Sequence, residues 1–268
     1  MWFPFHAQIL YSLCTTNTVA YTYKPLLPPS AHKFNCYVLV TECQIRGIDL
    51  IFVLDESGSV GSSNFQNIKT FTANLVRELE IGPGNTRVGV ITFSSIARVR
   101  FHLNTYQTNG TLLGAIASIL YSGGGTNTPA ALNTLLNEFS VMYGARPSEE
   151  GIPRIAIVVT DGMSNSPPAT IAAANTIHAN NILAYAVGVG DSIDMDELNA
   201  IASDPSSQYV RLLSDFNINE LRELQESLNS EACQGNTSNL CSLHSCSTEI
   251  FHSCCQMQGN HRACKHLQ

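Results

Sequence analysis

The stretch Asp49-Leu50-Ile51-Phe52-Val53-Leu54-Asp55-Glu56-Ser57-Gly58-Ser59 runs an apolar segment directly into a cluster of oxygen-bearing side chains. From Ile48 to Leu54 the chain is almost uninterruptedly apolar, and lack of alternation marks a strand covered on both faces. Helical spacing follows in Phe65, Ile68, Phe71, Leu75 and Leu79. Ser63 with Gln66 forms a capping-box pattern at its start, and Gly82-Pro83-Gly84 stops it.

The alternation continues outward from that unit. Val88 to Phe93 is a second strand, with Ala97 to Phe101 close enough to pair antiparallel beside it. A helix is expected over Leu112 to Leu120, ended by Gly123-Gly124-Gly125. Another is expected with Thr128 as N-cap and Pro129 at its first position. Further strands are Ile155 to Thr160, Ile182 to Val189 and Tyr209 to Leu212, separated by helices from about Thr170 to Asn180 and after Asp194. Asp194 pairs with Glu197, and Asn217 with Glu220, as capping boxes, and the last helix runs on through Leu224 and Leu228. Such a pattern implies an α/β, three-layer, doubly wound sheet, mostly parallel with one short antiparallel edge strand. In sheets of this kind ligands bind at the carboxyl ends of the strands.

Three polar clusters fall where that rule directs attention. Asp55, Ser57 and Ser59 end the first strand, and Val158-Val159-Thr160-Asp161-Gly162 ends the third long one. Gly123-Gly124-Gly125-Thr126-Asn127-Thr128 lies between two helices. Carboxylates and hydroxyls are hard donors suited to Mg²⁺, Mn²⁺ or Ca²⁺. Asp-x-Ser-x-Ser spacing lets alternate side chains of a turn point one way, and Gly58 lets the backbone fold tightly between them. Asp55, Ser57, Ser59, Thr126 and Asp161 are therefore candidate ligands of one divalent cation, and they leave a coordination position open. Either aspartate motif alone reads equally well as a helix cap. Glu56 is expected to be a solvated loop acid, since alternate spacing aims it away from the site. Asp191 reads as a loop or cap residue.

These three motifs, in order and at suitable separation, resemble those of a von Willebrand factor A-type domain, over about Cys43 to Cys233. The resemblance is to A domains of extracellular-matrix proteins such as matrilins and collagens. It implies a metal-ion-dependent adhesion site in which Ser57, Ser59 and Thr126 contact the ion directly. Asp55 and Asp161 then act largely through water, and an acidic side chain of a protein ligand fills the remaining position. Matrix A domains of this kind often join their ends by a disulfide, which implies a Cys43–Cys233 bridge. Pairing of each cysteine within its own flank is the alternative.

Composition bounds the remaining readings. The chain has 268 residues, 44% hydrophobic and 13% charged, with a formal net charge of -7. Acidic balance and scattered basic residues argue against nucleic acid, and no stretch approaches the roughly 18 apolar residues of a membrane span. The nine cysteines all lie at or outside Cys43 and Cys233, a distribution that favours an oxidising, extracellular setting. The sequons Asn109-Gly110-Thr111 and Asn236-Thr237-Ser238 agree with it. Expected domains are 1–42, an ill-defined segment resembling a degenerate signal region; 43–233, the A-type domain; and 234–268, a cysteine-rich tail resembling a truncated disulfide module. The weak start and the broken-off tail suggest a piece of a longer protein.

Catalytic motifs do not emerge. The sequence contains no Gly-x-Ser-x-Gly elbow, P-loop or His-Glu-x-x-His. His102 and His178 fall outside the motif loops and read as surface or helix-face residues. Metal-assisted phosphoryl transfer with Asp55 as nucleophile would need a nearby cation, yet Lys69 sits well into the first helix and the three loops hold no Lys or Arg. The expected function is non-enzymatic, metal-dependent adhesion to an extracellular protein, collagen or another matrix component. A structural matrix-assembly domain with an unused site is the rival.

Overall fold

A computed structural model describes residues 47–190, 193–212 and 218–234. Cys43, Asp191, Asn217, the second sequon and the cysteines of both flanks lie outside them. Cys233 falls within the backbone of the last helix.

The apolar runs become strands β1 (Asp49–Asp55), β2 (Arg87–Phe93), β3 (Ala97–Phe101), β4 (Arg154–Thr160), β5 (Ile182–Gly188) and β6 (Val210–Leu212). They form one sheet in the order β3-β2-β1-β4-β5-β6, parallel except for β3 against β2. Side chains on successive strand residues point to opposite faces, and both faces are covered. Leu50, Phe52 and Leu54 of β1 pack on one face against Phe65, Ile68 and Leu75 of α1 (Gly61–Glu78). The same layer includes α2 (Asn109–Ala117) and, through Leu224 and Leu228, α7 (Ile218–Gln234). Ile51 and Val53 meet the opposite layer, formed by α3 (Thr128–Glu138), α4 (Pro167–Ala179) and α5 (Met195–Ile201). A four-residue helix α6 (Ser206–Tyr209) precedes β6. Each fully buried Leu, Ile or Phe contributes about 1.5–3 kcal/mol, so sandwiching β1 and β4 between two apolar layers makes them the rigid centre.

The order of strands decides where a site can form. From β1 the chain first builds outward through β2 and β3, then crosses to β4 on the other flank of β1. Helices therefore leave β1 and β4 on opposite faces, which opens a crevice at their carboxyl ends. Leu54 pairs with Val159, so Asp55 ends β1 level with Thr160 at the end of β4.

Several helix starts differ from the sequence reading. Helix α1 begins at Gly61 without a side-chain cap, because the preceding turn already leads into it and Gly61 N donates to Ser57 O at 3.2 Å. Ser63 thus lies inside the helix, exposed. Helix α2 starts at Asn109 because Thr108 caps it, accepting from Thr111 N. Asn127, rather than Thr128, caps α3, accepting from Ala130 N at 3.2 Å. Helix α4 begins at Pro167, three residues before the expected start.

At the amino end of the sheet, Asp49 and Arg146 form a buried ion pair, with Arg146 Nε donating to Oδ1 at 3.0 Å and Arg146 N to Oδ2 at 2.6 Å.

Candidate metal site

The first loop folds back on its own carboxylate. Ser57 N donates to Asp55 Oδ1 at 2.8 Å, and the Ser57 and Ser59 hydroxyls lie 3.1 Å apart. Gly58 serves a different purpose from the one its flexibility suggests. Its N–H donates to Gly124 O at 2.8 Å, and a Cβ there would sit 3.1 Å from that oxygen. Gly58 therefore permits close approach of the first and second loops. Tyr121 adds a second tie, donating from its hydroxyl to Ser57 O at 3.0 Å.

The third loop is bound to both others. Thr160 Oγ1 donates to Asp55 Oδ2 at 2.7 Å and accepts from Gly162 N at 3.0 Å. Asn165 N donates to Thr126 O at 2.9 Å. Asp161 Oδ1 accepts from Met163 N at 3.0 Å, and Asp161 O from Asp194 N at 2.9 Å. Gly162 takes a positive φ of 76°, and a Cβ there would lie 2.7 Å from Asp194 O. A side chain at this position would meet both backbone strain and a clash.

Burial of these groups is uneven. Asp55 and Ser57 are fully buried and Thr126 and Asp161 nearly so, while Ser59 is exposed. Burial pushes the Asp55 carboxyl up to about 6. Hydrogen bonds from Ser57 and Thr160 oppose that rise, and the Asp161 charge adds to it. A desolvated carboxylate beside a second one, with hydroxyls at hand, is a donor set that fits a hard divalent cation. Among the described residues, no three of His, Cys, Asp and Glu converge, and the candidate donors are two carboxylates and three hydroxyls.

Glu56 departs from the sequence reading. It is fully buried, not solvated, because it continues the parity of Leu50, Phe52 and Leu54 toward the α1 face. Arg98 and Arg100 meet its carboxylate there, each at 3.0 Å. Cations thus do stand behind the first loop, supplied by the edge strand. Lys69 is not among them, since its Nζ donates to Ala117 O and Ile119 O.

Glu197 also behaves differently. Asp194 caps α5 as expected, accepting from Asp196 N and Glu197 N, each at 3.1 Å. The Glu197 side chain instead turns inward and accepts from Ser164 N at 3.1 Å. Burial raises its carboxyl above the ordinary range. Sequence motifs gave no signal for Thr160, Tyr121 or Glu197 as supports of the loops. An Arg-x-Arg pair on the strand beside the first loop was the available hint for Glu56.

The two histidines lie away from the loops. His102 Nδ1 lies 2.6 Å from Glu138 Oε2, and its ring stacks on Tyr143. His178 Nε2 lies 3.0 Å from Ile201 O. A shallow depression of about 500 Å³, lined by Met163, Ile193, Asp194, Met195 and Asp196, opens beside the third loop. No helix among the described residues is long and apolar enough to cross a membrane.

Comparison with known proteins matches this arrangement. The model for the von Willebrand factor type A domain covers residues 49–227. Mouse matrilin-2 is 32% identical over 218 residues, covering 81% of this chain and 21% of that protein. The human collagen alpha-1(XXI) chain is 35% identical over 187 residues, covering 69% of this chain and 19% of its own length. This chain thus spans about a fifth of either relative. A structure of proximal thread matrix protein 1 from the mussel byssus, described as having a zinc-occupied MIDAS motif, superposes with a TM-score of 0.56 at 27% identity. That match covers 71% of this chain and 47% of the mussel one. With the family model matching well over half of its length, and the six-stranded sheet and its loops in place, the chain belongs to the von Willebrand factor type A domain family.

Proposed function

We propose that Asp55, Ser57, Ser59, Thr126 and Asp161 hold one divalent cation, Mg²⁺ foremost, through which the domain grips an acidic side chain of an extracellular-matrix protein. The observation that carries this reading is the desolvated Asp55 carboxyl, bonded to the end of β4 and beside the Ser57 and Ser59 hydroxyls. A hard cation would supply the charge that this environment lacks, and the bound ion would offer its open position to a carboxylate. Resemblance to matrilins and to collagen XXI, and the zinc described in the mussel protein's motif, support a matrix setting and a divalent ion.

Binding, not catalysis, is the reading the surroundings favour. Arg98 and Arg100 close on Glu56, so neither is aimed at the site as a phosphate clamp would be. The A-type domain is proposed to run from Cys43 to Cys233 with those residues bridged, in an extracellular protein.

The test is solid-phase binding of the full chain to fibrillar collagen and to matrix extract in Mg²⁺. EDTA, Asp55→Ala and Thr126→Ala should each abolish binding. Binding that survives all three treatments refutes the metal-dependent grip. Metal uptake without any ligand would instead favour a structural domain with an unused site.

A further inference from the structure

Glu56 sits between two proposed ligands, Asp55 and Ser57, yet its side chain leaves in the opposite direction. Its carboxylate accepts from Thr92 Oγ1 at 3.1 Å, from Arg98 Nη1 at 3.0 Å, and from Arg100 Nη2 at 3.1 and 3.0 Å. Arg100 Nε donates in turn to Thr92 Oγ1 at 2.7 Å. The Glu56 backbone N–H donates to Phe93 O at 2.8 Å. The middle of the first loop is therefore pinned, by backbone and side chain, to the β2–β3 hairpin.

The hairpin is shaped for this contact. Its ladder pairs Ile91 with Val99 but Val90 with Phe101, so Arg100 is the extra residue of a bulge. Bulges of this kind re-aim side chains. Here Arg100 reaches Glu56 while Phe101 still packs into the core with Val90. Arg98 and Arg100 side chains remain 38% and 26% exposed, but Glu56 is fully buried. Buried, charge-assisted bonds to guanidinium forks are among the stronger and more directional hydrogen bonds.

Resting on the proposed metal site, we propose that Glu56 is a positioning residue for it, and that Arg98 and Arg100 set metal affinity from the edge strand. Displacing Glu56 moves its two neighbours, since Ser57 N closes the turn on Asp55 Oδ1. Groups that orient metal ligands typically affect metal affinity by about 10–100-fold when removed. The sign of the effect separates this from simple electrostatics. Two guanidinium groups facing one carboxylate leave a local positive charge, and deleting one of them would, by charge alone, strengthen cation binding. Positioning predicts the reverse.

The experiment is titration of the full chain with Mn²⁺ by calorimetry, with electron paramagnetic resonance of the bound ion and thermal unfolding alongside. Arg100→Gln should weaken Mn²⁺ about tenfold or more and broaden its spectrum, although it removes a positive charge. Glu56→Gln should do the same, and Arg100→Lys should recover only part of the loss, because an ammonium cannot replace the fork. Tyr185→Phe, which removes the hydrogen bond between β5 and Ser227 of α7, serves as the stability control and should leave Mn²⁺ affinity unchanged. Unchanged or tighter Mn²⁺ binding by folded Arg100→Gln overturns the positioning role. A wild-type chain that takes up no Mn²⁺ overturns the metal site itself, and this role with it.

Discussion

The Thr160 hydroxyl donates to Asp55 Oδ2 at 2.7 Å, joining the ends of the two central strands across 105 residues of chain. The same oxygen accepts from Gly162 N, so one side chain sets the spacing of the first and third loops. Its removal should be felt in both stability and metal binding. Thr160→Val keeps the shape and deletes the donor, leaving a buried carboxylate oxygen with one partner fewer. Unfolding free energy should fall by about 1–3 kcal/mol, and Mn²⁺ affinity by about tenfold. Thr160→Ser should restore both. Urea denaturation and calorimetric titration give the two readings.

Metal binding should be steeply dependent on pH. Burial holds the Asp55 carboxyl at about 6 against an ordinary 3.8. A raised acid is more easily kept protonated in the folded chain than in the unfolded one. Its contribution to stability is thus fully present below about pH 4 and lost as pH rises through 6, at a cost of up to about 3 kcal/mol. A cation needs the ionised form, so Mn²⁺ must displace the proton at low pH. Affinity at pH 5 should be about tenfold weaker than at pH 7.5. The Mn²⁺-induced rise in melting temperature should shrink in parallel.

The ion pair of Asp49 with Arg146 should govern stability without touching the site. Asp49 opens β1 and Asp55 closes it, a separation of about 20 Å along a strand. Arg146→Met leaves the buried Asp49 carboxylate without its guanidinium. Stability should fall by about 3–5 kcal/mol, while Mn²⁺ affinity of the folded fraction stays at the wild-type value. Chemical denaturation and calorimetry of the same preparation check both.

The sequon at Asn109 should stay unmodified in secreted protein. Asn109 Nδ2 donates to Val76 O at 3.2 Å and to Leu79 O at 3.3 Å, tying α2 to the end of α1. A glycan on that nitrogen would take one of its hydrogens and would need to leave through this contact. Peptide mapping of chain secreted from eukaryotic cells should find Asn109 bare. Asn109→Ala should cost about 1 kcal/mol by thermal unfolding.

Particular residues show where reading the sequence succeeds and where it stops. Runs such as Ile155 to Thr160 become strands at nearly the expected bounds, since an apolar segment without alternation can be buried only between two layers. Helix starts are less legible. Ser63 and Gln66 match a capping box but lose to a turn that already leads into the helix, and Asn127 takes the cap assigned to Thr128. At the candidate site, Asp55, Ser57 and Ser59 could be named from local spacing alone. The environment of Glu56 could not, because its partners Arg98 and Arg100 lie 42 and 44 residues away on another strand.

Local sequence specifies the layering of the sheet, the carboxyl ends of its strands as the place to look for a site, and the hard oxygen groups gathered there. All of these follow from local properties: apolar periodicity, turn residues and donor type. It takes the folded chain to desolvate Asp55 and raise it to about 6, to turn Glu56 under the loop toward two arginines, and to bring Thr160 and Glu197 against the loops. Desolvation and choice of partner depend on which distant segments are packed alongside, and the order of strands sets that after the local pattern has been spent.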